Sequence, residues 1–230
     1  MPVLSPISAH GTNAMWFPLA FILALTGLMA SFIAYFPGGM TWDPFVMWGM
    51  GWKIPWHDHH SPYIALLMSV SRIISGDPAA YLFIQLFFHW TGLYFIAGGL
   101  RRKVRHWSLL VIVLGFTPMF IVQSGHLHKS LFQAAIFLFV FGVVYFYYAW
   151  DRKLGLVWVI VLILLLFLAI PVRRFGYICS LPLITYMLYC RYRLSSPNSI
   201  FLYITFSVLI VISSIQINKY VKYEVLEVKK

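Results

Sequence analysis

Residues 15–36 read MWFPLAFILALTGLMASFIAYF, a run without one Asp, Glu, Lys, Arg or His. A hydrocarbon core of roughly 30 Å is crossed by about twenty apolar residues in helical rise, so this stretch is long enough to span it. It is longer than the apolar core of a signal peptide, no Lys or Arg precedes it, and it ends at Pro37-Gly38-Gly39 rather than at a small-residue cleavage pattern. It is therefore expected to be a retained first span. Comparable apolar runs follow at 78–100, 107–122, 130–150, 154–172, 175–190 and 200–217. With 61% hydrophobic residues, 10% charged residues and a mean hydropathy of +0.83, the composition is not that of a soluble domain. The expected fold is all-α: one polytopic transmembrane domain over residues 1–217, with about seven spans. A first outer loop over 37–77 and a polar tail over 218–230 complete it.

A formal charge of +11 suggests nucleic acid until the basic residues are placed. Arg101, Arg102, Lys103 and Arg105 form one short cluster, Arg152 and Lys153 a second, Arg191 and Arg193 a third, and apolar runs separate them. By the positive-inside rule all three face the cytoplasm, which puts the N-terminus inside and the segments 37–77, 123–129 and 171–174 outside. Nucleic acid is not an expected partner. Residues 61–75 are apolar but short and carry Arg72. Were they to cross, the later basic clusters would fall on the outer side, so a juxtamembrane helix is expected. Cys179 and Cys190, eleven positions apart in one run, are too distant to bridge within a helix.

Acidic residues are scarce, and both Asp43 and Asp58 fall in the first outer loop. Asp43, followed by Pro44 and an apolar run, is a helix-start signal and also a candidate general base. His57, Asp58, His59 and His60 follow in the same loop. Arg173 and Arg174 lie on the outer side, where orientation does not require positive charge; they point either to an anionic ligand or to snorkelling at a helix end. His126, His128 and Lys129 occupy another outer loop. Two carboxylates with histidines and fixed cations suit transfer of a group from a lipid phosphate to a hydroxyl, the carboxylate taking the acceptor proton and the cations stabilising the departing phosphate.

Adjacent His and Asp positions lack the usual zinc spacings, so no protein-only metal site is expected. A divalent cation, Mg or Mn, held by Asp43 or Asp58 with a substrate phosphate stays open as a cofactor. Gln85 and His89, one turn apart in a span, are expected to make an interior contact. No nucleotide-binding, nucleophile-elbow or paired-cysteine motif occurs.

The first span, the loop Phe36-Pro37-Gly38-Gly39-Met40-Thr41-Trp42-Asp43, an amphipathic segment and then His57-Asp58-His59-His60-Ser61-Pro62 together resemble the N-terminal module of the GT-C membrane glycosyltransferases. The likeness covers roughly residues 15–190 and implies transfer of a sugar from a polyprenyl-phosphate donor on the outer face. It implies Asp43 as catalytic base, with Asp58 a second catalytic candidate and Lys129, Arg173 and Arg174 holding lipid phosphate; His59, His60, His126 and His128 are further phosphate-binding candidates. Members of that superfamily continue with further spans, so a partner subunit or a homo-oligomer is an expected complement. A bacterial inner membrane is the expected location. A translocase of a lipid-linked sugar would use the same cations but not need a carboxylate at Asp43, and in a non-catalytic assembly subunit Lys129, Arg173 and Arg174 would be replaceable without loss.

Overall fold

The computed structural model describes residues 15–50, 62–173, 176–193 and 197–220. Helix makes up 87% of it and no strand occurs among the described residues, in line with the all-α expectation. The physical reason is solvent: in a membrane no water satisfies backbone groups, and a helix pairs them within its own segment.

The helices are α1 Trp16–Tyr35, α2 Trp42–Met50, α3 Pro62–Ser75 and α4 Ala79–Val104. A 3₁₀ segment, Arg105–Leu109, leads into α5 Leu110–Leu114 and α6 Pro118–Gly125. Then come α7 Lys129–Ala149, α8 Leu156–Ala169 with a 3₁₀ turn Ile170–Val172, α9 Gly176–Tyr192 and α10 Pro197–Tyr220. Four stretches are individually long and apolar enough to cross a membrane: Trp16–Tyr35, Ala79–Leu114, Lys129–Ala149 and Ser199–Ile217. Tyr63–Ser75 and Leu156–Val172 are apolar but shorter. Large apolar side chains lie exposed along the outside, among them Leu19, Phe21, Ile22, Leu25 and Ile33 on α1. Such a surface belongs in lipid, and the chain is an integral membrane protein.

The run expected to cross as one span at 107–122 is instead broken at Gly115–Thr117. Pro118 has no N–H to continue α5 and opens α6. The carbonyls of Ile112, Val113 and Leu114 are taken by the N–H groups of Gly115, Phe116 and Thr117 at 3.0, 2.9 and 3.1 Å, so the break leaves those groups paired.

The most extensive interface joins α4 to α7. Small residues allow it: a Cβ on Gly142 would stand 2.6 Å from the Gly92 carbonyl oxygen, and one on Gly92 would stand 2.9 Å from the Phe139 nitrogen. In a membrane, where lipid and side chain are equally apolar, such close backbone approach is what holds helices together.

The three basic clusters meet at one end of the bundle. Arg102 pairs with Asp151 and donates to the Ala149 carbonyl at 2.8 Å; Arg193 reaches Asp151 at 3.4 Å and the Arg152 carbonyl at 3.3 Å. Arg191 donates to the Leu154 carbonyl at 3.0 Å. The Arg102 hydrogen bond and charge, followed by Arg193, hold the Asp151 carboxyl below the usual carboxylate range. Arg101 lies 4.9 Å from the rings of Trp16 and Phe17, which brings the start of α1 to the same end.

At the opposite end α3 packs beside the start of α4. Its Ser71 and Ser75 hydroxyls donate to the Asp77 carbonyl at 2.9 and 2.8 Å, and Ser71 accepts from the Tyr81 N–H at 3.0 Å. Arg72 donates to the Trp48 carbonyl at 3.1 Å and stacks 3.7 Å from that ring's centre, tying α3 to α2. Helix α3 packs against α2, the start of α4 and the turn after α8.

Candidate functional site

Two loops are joined by backbone at the end that α3 covers. After α1 the chain turns through Gly38 and Gly39. The Gly39 N–H donates to the Gly125 carbonyl at 3.1 Å, and the Leu127 N–H donates to the Gly39 carbonyl at 2.8 Å, an isolated parallel bridge. Gly38 has φ of +131°, and a Cβ there would stand 2.5 Å from Leu127 Cδ1, so both conformation and space require glycine. Leu127 itself is fully buried.

The register of that bridge decides what meets what. Four residues after Gly39 comes Asp43, in the first turn of α2 rather than before it, and two residues after Leu127 comes Lys129, the first residue of α7. Lys129 Nζ lies 3.3 Å from Asp43 Oδ2. With side chains 41% and 18% exposed respectively, Asp43 and Lys129 form a half-open ion pair that a ligand can reach. A pair so exposed contributes about 1 kcal/mol or less to stability.

His128 stands beside it and caps α7: its Nδ1 accepts from the Ser130 N–H at 3.3 Å. Burial lowers the imidazole's pKa, and the charges of Arg173 and Lys129 lower it further while Asp43 partly opposes them. Arg173, which is exposed, is thus within electrostatic reach of His128. The Ser130 hydroxyl oxygen, buried next to Lys129, has no partner among the described residues.

Two amides support this end. Gln85, buried in α4, donates from Nε2 to the Ser124 carbonyl at 2.8 Å and to the His126 carbonyl at 2.9 Å. Gln133, one turn after Lys129, donates to the Ala169 carbonyl at 2.8 Å and so fastens the end of α8, four residues before Arg173.

No family model, curated protein or solved structure matches this chain.

Of the residues singled out from sequence, Asp43, His128 and Lys129 come together, and the charge of Arg173 is felt at His128. His126 does not join them: its Nδ1 lies 2.7 Å from the Val122 carbonyl and its ring centre 6.2 Å from that of Tyr35. His57, Asp58, His59, His60 and Arg174 lie outside the described residues. Among the described residues no group of three or more His, Cys, Asp and Glu converges as a metal site. Gln85, Gln133 and Ser130 were not anticipated as contributors. Polar amides in otherwise apolar runs were the available signal, and for Gln85 that signal was read as an interior contact only.

Chemically, the cluster offers the Asp43 carboxylate, the Lys129 ammonium and a neutral imidazole at His128.

Proposed function

We propose that this chain is a membrane glycosyltransferase of the GT-C type, moving a sugar from a polyprenyl-phosphate donor to a hydroxyl acceptor on the outer face of a bacterial inner membrane. The observation that carries the reading is the Asp43–Lys129 pair, set at the end of the bundle opposite the three basic clusters. In this reading the basic end is cytoplasmic by the positive-inside rule and the chain crosses seven times, α5 with α6 making one broken span. The donor's phosphate approaches Lys129 and Arg173 with its isoprenoid tail in lipid. Lys129 turns from the carboxylate to the phosphate, and Asp43 accepts the proton of the acceptor hydroxyl. The acceptor oxygen bonds to the anomeric carbon as the bond from that carbon to the phosphate oxygen breaks, the electron pair leaving on the phosphate. A single displacement of this kind inverts the anomeric centre.

The test is transfer of a radiolabelled sugar from polyprenyl phosphate in membranes containing wild type, Asp43→Asn or Lys129→Met. Loss of a positioned base costs about 10²- to 10⁴-fold, and Asp43→Asn is expected to lose that much with the donor still bound. Lys129→Met is expected to raise the donor KM. Transfer at the wild-type rate by Asp43→Asn, or no transfer by the wild type, would sink the reading.

A further inference from the structure

We infer that Gln85 is a positioning residue: its side-chain amide sets the spacing between Asp43 and Lys129 by gripping the loop that leads into Lys129. Its consequence for sugar transfer rests on the reading above, whereas its consequence for the 43–129 spacing does not.

The carbonyls at the end of α6 and just beyond it are held from two sides. Ser124 and His126 present theirs to Gln85, at 2.8 and 2.9 Å, while Gly125 between them presents its own to the Gly39 N–H at 3.1 Å. Helix α4 thus holds from one side what the first outer loop holds from the other. The Ser124 and His126 carbonyls lie at the C-terminal end of α6, where no further helical turn follows; the His126 carbonyl also accepts from the His128 N–H at 3.0 Å. Gln85 is 1% exposed and sits 39 and 41 positions from those partners, so a span of the bundle core is reaching across to the loop. Three residues beyond His126 is Lys129, whose 3.3 Å approach to Asp43 depends on the loop keeping its register against Gly39. Without the amide the Ser124 carbonyl loses its side-chain donor and the His126 carbonyl keeps only the His128 N–H, so the loop is freer to shift and carry Lys129 with it.

The measurement is zero-length carbodiimide coupling of the Asp43 carboxylate to the Lys129 amine in the purified full-length protein, with the linked peptide quantified by mass spectrometry. Gln85→Met keeps the volume and removes both donors, and is expected to lower the yield about fivefold or more. In Gln85→Glu, burial keeps the carboxyl protonated with one O–H to donate, so part of the yield returns. If Gln85→Met does not accumulate, Gln85→Asn, one methylene short of its partners, is read in the same assay and is expected to fall likewise. Unchanged yield in the Met or Asn variant, or a Glu variant as poor as Met, overturns the inference. Sugar transfer is measured on the same samples. A wild type that transfers nothing, with yield lost in Gln85→Met, leaves the positioning role standing and removes the glycosyltransferase reading. Full yield in Gln85→Met, with transfer abolished by Asp43→Asn, does the reverse.

Discussion

Gly125 is seated against the ring of Tyr35 so closely that a Cβ on it would stand 2.1 Å from Cγ and 2.3 Å from Cδ2. Tyr35 ends α1 and Gly125 ends α6, so this contact brings the two chain segments near enough for Gly39 to bond to Gly125 and Leu127. Gly125→Ala is expected to push the loop off the ring and to cost about 1–3 kcal/mol, the range for overpacking a well-filled site. A lower apparent Tm in detergent checks this, and an unchanged Tm would show that the loop yields without cost.

The acid sensitivity of the cluster has a definite sign. Unfolded, the His128 imidazole takes its proton near 6.5, whereas folded it does so only at lower pH, because burial and then Arg173 and Lys129 oppose the charge. Between those points the unfolded chain holds the extra proton. The contribution to stability is therefore complete above about pH 6.5 and is lost as the pH falls toward the folded value. His128→Gln keeps a neutral acceptor for the Ser130 N–H and removes the titration. The wild-type Tm should drop more between about pH 7 and about pH 5 than that of the variant. Parallel curves would mean that His128 does not carry the effect.

Orientation is checked by chemistry from each side. With Cys179 and Cys190 replaced by serine, Thr41→Cys is expected to react with a membrane-impermeant maleimide on intact cells. Lys153→Cys should react only after permeabilisation, because it sits with the arginine–aspartate cluster that the positive-inside rule assigns to the cytoplasm. Labelling of both from the same side would overturn the arrangement.

Long apolar runs were legible because hydropathy alone sets their ends. The first run, expected at 15–36, forms Trp16–Tyr35, and the run at 130–150 forms Lys129–Ala149. Pro118 was visible inside 107–122, yet the uniform hydropathy on both sides hid the break it makes. Asp43 and Lys129 each stood out as charges in outer loops, but their pairing did not, since it depends on a backbone bridge between Gly39 and Leu127 that leaves no side-chain signature. His126 and His128 read as one cluster with Lys129. In an extended stretch neighbours but one share a side, yet the His126 carbonyl is held by Gln85 and its ring by Val122, while His128 turns to cap α7.

The close crossing of α4 and α7 has a consequence of scale. Gly92 and Gly142 bring the two backbones together deep in the bundle, and from that crossing α4 runs outward to Gln85 and α7 to Gln133 and Lys129. At 1.5 Å per residue, Lys129 stands about 20 Å from Gly142 along its helix. The pair works as calipers: a small change of angle at the pivot becomes a larger change at the jaws. Bulk introduced at Gly142 would be felt at the distant ends of the two helices, which carry Gln85 and Lys129.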